Sequence, residues 1–169
     1  AAHLGELVRA SGARLRTLAA GEAWNWGGAR ISVVAPPDRL PPRALGDQNS
    51  LVLSVSYGRR SILLTGDLDP RVERDLVTRG ALPPADVLKV PHHGSRASTS
   101  DEMLRQVRPA FAVISAGYAN PYHHPHPELL ERLQECRATP LRTDLMGQVR
   151  IVSDGRALEV ALGLPLALR

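Results

Sequence analysis

Aromatic residues are scarce in this chain: one Phe, two Trp and three Tyr among 169 residues. That excludes a core of stacked rings. The interior has to be built from Leu, Val, Ala and Ile, for which a hydrophobic fraction of 43% is enough. Cysteine occurs once, at Cys136, so neither an internal disulfide nor a cysteine-based zinc site can form. Cys136 continues the apolar face of a helical pattern and reads as a packing residue. Long hydrophobic runs are missing as well. The longest, Leu158 to Leu168, is broken by Gly163 and Pro165 and falls short of the roughly 20 residues that span a bilayer. Lysine is almost absent: of 21 basic side chains only Lys89 is lysine, and the net charge is +4. Arginine suits phosphate because its planar fork engages two oxygens at once. So small a charge permits an anionic partner without demanding one.

Turn formers are plentiful, with 14 Gly and 14 Pro, so helices should be short. The length suits a single domain, residues 1–169, and no linker or repeat divides it. Leu4 to Ala10 reads as a helix remnant, and Arg14–Leu18 and Ile31–Val34 read as strands. Between those strands, Gly21–Gly28 is a turn-rich segment holding Trp24 and Trp26, and Pro36–Asp47 is a Pro-rich loop. Leu51–Val55 and Ser61–Leu64 form a hairpin through Tyr57-Gly58-Arg59-Arg60. Asp69-Pro70 opens a helix, with Asp as cap and Pro at the first position. Asp86–Val90 reads as a buried strand and Phe111–Ser115 as another strand. Thr99-Ser100-Asp101-Glu102 is a capping box with Thr99 as the cap, and its helix runs to Val107. A last helix starts at Pro127 and buries Leu129, Leu130, Leu133 and Cys136. Short strands at Leu141–Thr143, Gln148–Val152 and Leu158–Val160 close the chain. The class is α/β, with helices packed against sheet.

Three stretches carry the chemistry: Leu63-Leu64-Thr65-Gly66-Asp67, Val90-Pro91-His92-His93-Gly94-Ser95 and Asn120-Pro121-Tyr122-His123-His124-Pro125. Each follows an apolar run and presents Asp or His, so metal-binding side chains are expected at the ends of neighbouring strands. Asp67, after a glycine, can hold a cation; Asp69 fits the helix cap better. Adjacent histidines point apart, so one of His92 and His93 is expected at a metal and the other at substrate or a second metal. The Gly94-Ser95 turn offers N–H groups to a phosphate oxygen. Asn120, Tyr122, His123, His124 and His126 make a polar loop in which His124 faces substrate or acts as general acid. Arg142 can bind phosphate or form a surface ion pair. Trp24 and Trp26 fit packing better than base stacking.

In order, these segments resemble the C-terminal metallo-β-lactamase-like domain of the ComEC competence proteins, which pass DNA across the inner membrane. The resemblance rests on Gln48-Asn49-Ser50-Leu51-Val52-Leu53, the Leu-Leu-Thr-Gly-Asp run ending at Asp67, Ala85 through Ser95, the loop Asn120–Pro125, and Arg142-Thr143-Asp144 with Gly147. It implies an αββα sandwich with a dinuclear site at one edge. In it, Asp67 and His93 are metal ligands, His92 and His124 are catalytic, and Ser95, Asn120, Tyr122 and Arg142 contact substrate. The His-x-His-x-Asp-His motif that supplies most first-site ligands is absent, and His3 is the only histidine before His92. The expectation is therefore an N-terminally truncated domain.

The resemblance further implies two divalent ions, Mn or Zn, in a complete domain, with weak metal binding or none in the truncated chain. It implies single-stranded DNA as substrate and a membrane-embedded remainder as partner, with this piece outside the inner membrane. An open sheet edge could pair two copies into a homodimer. The expected activity is phosphodiester hydrolysis of the strand not taken up. The alternative is an inactive module that guides DNA or supports the channel, and a third reading is hydrolysis of another ester on the same fold.

Overall fold

The computed structural model describes residues 2–14, 16–37 and 46–163. Helix α1 (Ala2–Ala10) is followed by four strands: β1 (Ala23–Trp26), β2 (Ala29–Ala35), β3 (Val52–Tyr57) and β4 (Arg60–Leu64). These pair antiparallel in chain order. From β4 onward the sheet becomes parallel. Helix α2 (Pro70–Thr78) leads to β5 (Val87–Lys89), α3 (Asp101–Val107) to β6 (Phe111–Ile114), and α4 (Pro127–Glu135) to β7 (Thr139–Arg142). The result is one seven-stranded sheet in the order β1 to β7, with a helical crossover wherever neighbours run parallel. A one-turn helix α5 (Thr143–Met146) precedes a two-stranded sheet of β8 (Val149–Ser153) and β9 (Leu158–Leu162).

One core cluster joins Val52, Leu63, Leu88, Ala112 and Ile114 of the sheet to Leu76 of α2, Met103, Leu104 and Val107 of α3, and Leu129 and Leu133 of α4. Successive strand residues point to opposite faces. Val87 and Leu88 are both buried, so β5 is covered on both sides, as a central parallel strand should be. No aromatic side chain belongs to the buried core.

Several local expectations change. Arg14–Leu18 makes no strand among its described residues; its alternation has no ladder partner to satisfy it. The Trp segment, expected to be all turn, contains β1, because Gly27 and Gly28 take the positive φ of a two-residue hairpin (56° and 84°) and free Ala23–Trp26 to pair with β2. Most of the expected Pro-rich loop, residues 38–45, lies outside the described residues. Asp69 caps α2 as expected, its carboxylate accepting from the Arg71 N–H at 2.7 Å. The cap of α3 is Ser100 and not Thr99. Thr99 is buried in a left-handed conformation (φ 61°), while the Ser100 hydroxyl accepts from the Met103 N–H at 3.2 Å. Cys136 is exposed instead of packed, because α4 ends at Glu135 and leaves it at the C-cap, beyond the apolar face.

The β8–β9 hairpin docks on the turn between β3 and β4 through backbone. The Arg59 N–H donates to the Gly155 carbonyl, and Arg60 Nε donates to the Arg156 carbonyl, both at 2.7 Å. Gly58 and Gly155 meet so closely that a Cβ at Gly58 would strike the Gly155 backbone.

Candidate active site

The parallel half of the sheet decides where the chemistry sits. Strands β4 to β7 point the same way, so the segments after them gather at one edge, the usual place for a site on an open parallel sheet. Asp67 follows β4, His92 and His93 follow β5, the segment from Ser115 to His124 follows β6, and Arg142 ends β7.

The first two segments are stitched together. Buried Thr65 donates its hydroxyl to the Lys89 carbonyl at 2.6 Å, and the His92 N–H donates to the Gly66 carbonyl at 3.2 Å. The histidine pair is strained: His92 and His93 both have positive φ (48° and 55°), which costs an L-residue about 1–2 kcal/mol each. Strain of this kind concentrates at functional sites. Gly94 (φ 89°) then lets the chain pass against Pro125 and Leu129, and its carbonyl accepts from the His126 N–H at 2.9 Å. The β5 and β6 segments are thereby locked to each other.

His93 is oriented for ligation. Its Nδ1 lies 2.7 Å from the Ser115 carbonyl, an acceptor only, so Nδ1 carries the proton and the neutral ring leaves Nε2 bare. That Nε2 lies 3.5 Å from Asp67 Oδ1. A carbonyl behind a histidine is the support that ligating histidines normally have. His92 turns elsewhere: its Nδ1 is 3.8 Å from Asp47 Oδ2, and its ring meets His124 edge-on at 6.4 Å. The two adjacent histidines thus face different groups, His93 toward Asp67 and His92 toward Asp47 and His124.

On the β6 side, Asn120 organises its own loop. Its amide N–H groups donate to the carbonyls of Gly117 (2.9 Å) and His124 (2.7 Å), and its Oδ1 accepts from the His124 N–H at 3.0 Å. Tyr122 lies nearly parallel to the His124 ring, 26° off and 5.9 Å away. Burial, and then the charges of His92, His93 and His126, push the His124 pKa below the usual histidine value. His124 Nδ1 is buried and has no partner among the described residues. A cavity of about 410 Å³ opens here, lined by His93, Ser115, Gly117, Asn120, Tyr122 and His124 among others.

Two expected substrate contacts stand apart from this cavity. Ser95 closes the histidine turn, its N–H donating to the His92 carbonyl at 3.0 Å. Arg142 directs its fork at Asp144, with Nε 3.1 Å from Oδ1 and Nη2 2.6 Å from Oδ2; of its two expected roles, the ion pair is the one formed here.

Two residues escaped sequence reasoning. Asp47 faces His92 and carried no signal. Lys89 carried one, as the only lysine in an arginine-rich chain. It is partly buried, and its Nζ donates to the Val90 carbonyl at 2.7 Å. Burial pulls its pKa down, and the Asp67 carboxylate pulls it back up.

His93 Nε2 and Asp67 present one nitrogen and one oxygen donor, a combination that suits zinc or manganese. Among the described residues no three His, Cys, Asp or Glu side chains are grouped to hold an ion. The donors present thus fit part of a metal centre, and a catalytic site with an open position for water needs at least one more.

Residues 25–118 match the Metallo-beta-lactamase superfamily, more than half of the chain, and the chain belongs to that superfamily. Divalent metal ions are what this membership implies. More particularly, the chain is similar to competence proteins of the ComEC family. It is 39% identical over 132 residues to "Recombination protein 2" of Haemophilus influenzae, covering 78% of this chain and 16% of that protein. It is 37% identical over 145 residues to "ComE operon protein 3" of Bacillus subtilis, covering 86% of this chain and 18% of the relative. With "Competence protein ComA" of Neisseria gonorrhoeae it shares 38% over 131 residues, covering 76% and 18%. The chain thus spans less than a fifth of the length of these relatives. Among solved structures, a variant of the CmlA beta-hydroxylase superposes with a TM-score of 0.50 at 15% identity, covering 82% of this chain and 34% of that one. At that identity the likeness speaks for the fold alone. No helix among the described residues is long and apolar enough to cross a membrane.

Proposed function

We propose that this chain carries part of the phosphodiesterase site of a DNA-uptake protein, and that the site hydrolyses the DNA strand that is not taken up. The observation that carries the reading is the pairing of His93 Nε2 with Asp67 at 3.5 Å, with the far side of the ring fixed by Ser115, at the edge where β4 to β6 end. Similarity to competence proteins supports DNA as the substrate class.

What divalent ions such as Mn²⁺ or Zn²⁺ supply when bound is Lewis acidity toward phosphoryl oxygens and an acidified water. His93 and Asp67 would hold them, with further donors from outside the described residues. The chain's own groups then have distinct tasks. Ser115 fixes the His93 tautomer. Lys89 offsets the Asp67 charge. His92, bent away from His93, faces the entering phosphate. His124, kept neutral by burial, offers a hydrogen bond to the departing oxygen without adding a fixed charge. In a protein that also contains the upstream His-x-His-x-Asp-His segment, metal-dependent cleavage of DNA and of bis(nitrophenyl) phosphate should be abolished by Asp67→Ala or His93→Ala. Cleavage at the parental rate in both variants would remove the assignment.

An arginine-rich chain of net charge +4 supports a second reading: a module that guides DNA without cutting it. That module would bind DNA in EDTA and release it steeply with salt. Loss of binding on chelation alone would count against it.

A further inference from the structure

Six aromatic residues serve this chain, and two of the three tyrosines stand exposed on the loop between β6 and α4. Tyr118 is 72% exposed and Tyr122 is 77% exposed, although the core contains no aromatic ring at all. Trp26 (76%) and Tyr57 (41%) are exposed as well, so exposure alone marks no site; what sets Tyr122 apart is that it lines a cavity shared with His93 and His124.

Tyr122 is not a loose side chain on a loose loop. One face of its ring is backed by His124 at 5.9 Å, and the loop beneath is tied by the three Asn120 hydrogen bonds. The Thr143 hydroxyl secures the loop's start, accepting from the Ala116 N–H at 2.9 Å and lying 2.8 Å from the Ala116 carbonyl. The outer face of Tyr122 is therefore presented in a fixed attitude at the wall of the 410 Å³ cavity, and His93 lines the same cavity. That volume lies at the lower end of the roughly 300–1,000 Å³ range of small-ligand sites. It suits one nucleotide unit and not a base pair.

The polar groups nearby narrow the ligand further. The carbonyls of Ser115 and Gly117 are already hydrogen-bonded to His93 and Asn120, and the Asn120 amide is committed to its own loop. Little is left to read the edge of a base, and a ring face is left to meet any base. In a duplex, base faces are covered by their neighbours, so only an unpaired, unstacked base can lie on Tyr122.

We infer that this cavity seats one unpaired nucleotide, its base face on the Tyr122 ring and its phosphate toward the His93–Asp67 end. The inference rests on the phosphodiesterase reading for the direction of the phosphate. It makes the site selective for single-stranded DNA and indifferent to base sequence, the behaviour of aromatic stacking platforms.

The test uses the 169-residue chain in EDTA with an oligodeoxynucleotide carrying 2-aminopurine, whose fluorescence is quenched on stacking. Parent and Tyr122→Phe should bind and quench. Tyr122→Ala should bind roughly 5- to 150-fold more weakly, the loss typical of one stacked base, and should leave the probe bright. Parental binding and quenching by Tyr122→Ala would overturn the inference. So would equal affinity for the same sequence as a duplex, or failure of the parent to quench. Hydrolysis of bis(nitrophenyl) phosphate, which has no base, by the parent and its Asp67→Ala variant in a protein that includes the upstream motif tests the phosphodiesterase reading separately. Either result can fail without the other.

Discussion

Glu73 and Thr99 are joined across the α2–α3 interface: one carboxyl oxygen of Glu73 accepts the Thr99 N–H at 2.8 Å, and the other accepts the Ser100 N–H at 2.7 Å. Glu73 is buried in doing so. Arg132 of α4 holds the same segment from its other side, donating to the carbonyls of Thr99 and Arg96 at 3.0 Å and of Ser98 at 3.1 Å. Glu73→Ala leaves two interior amides without acceptors, at about 1–3 kcal/mol apiece. We expect a loss of about 2–5 kcal/mol in urea unfolding. A change below about 0.5 kcal/mol would show the pair to be dispensable.

His93 should exist in its neutral form as the Nδ1–H tautomer, because the Ser115 carbonyl can only accept. Long-range proton–nitrogen correlation spectra on the ¹⁵N-labelled chain distinguish the two tautomers directly. An Nε2–H tautomer would mean that the ring is turned, and that its metal-facing nitrogen is not the one assigned.

Gly94→Ala places a Cβ 2.8 Å from the Pro125 Cβ and 3.0 Å from Leu129 Cδ2, at a φ of 89°. The Leu129 methyl can give; the proline ring cannot. The histidine turn should be pushed off the loop bearing His124, and activity of the complete site should fall by at least tenfold. Far-UV circular dichroism should remain parental, since the strain is confined to the turn. Undiminished activity would show that the two loops need not touch.

Asp154 turns β8 into β9, its carboxylate accepting from Ala157 N–H at 2.6 Å and Arg156 N–H at 2.7 Å. These bonds, Ala157 first, hold its pKa below the ordinary 3.8. A depressed carboxylate contributes stability above its unfolded pKa and loses it as pH falls through the folded value. Melting temperatures of parent and Asp154→Asn should differ by a constant amount above about pH 5 and converge in the acid range. A difference that grows in acid would reverse the sign.

What could be read from the sequence was local. The Asp69-Pro70 cap, the hairpin at Gly58 and the apolar runs of β4 to β6 follow from neighbours a few residues apart. Asp67 and His93 could be placed at strand ends because a parallel sheet aligns its ends. Some misreadings were local, as where the Gly27-Gly28 turn let β1 form; those at the site came from distance. Thr99 looked like the cap until Glu73, 26 residues away, drew its N–H inward and left Ser100 to cap the helix. Lys89 was conspicuous by its rarity, yet nothing along the chain showed that it neighbours Asp67. Arg142 could not be assigned between phosphate and carboxylate by spacing alone, and Asp47 stood at the end of a Pro-rich loop whose spacing gave no sign that it would face His92.

Asp67 and His93 follow neighbouring hydrogen-bonded strands, β4 and β5, that end at the same edge of the sheet. To separate Asp67 from His93, the sheet would have to shear along the β4–β5 ladder, breaking the Thr65–Lys89 and Gly66–His92 bonds together. The Asp67–His93 side is therefore mechanically stiff. The opposite wall is held by the side chains of Asn120 and Thr143 instead of a strand ladder, so its spacing rests on a few side-chain bonds and not on paired backbone.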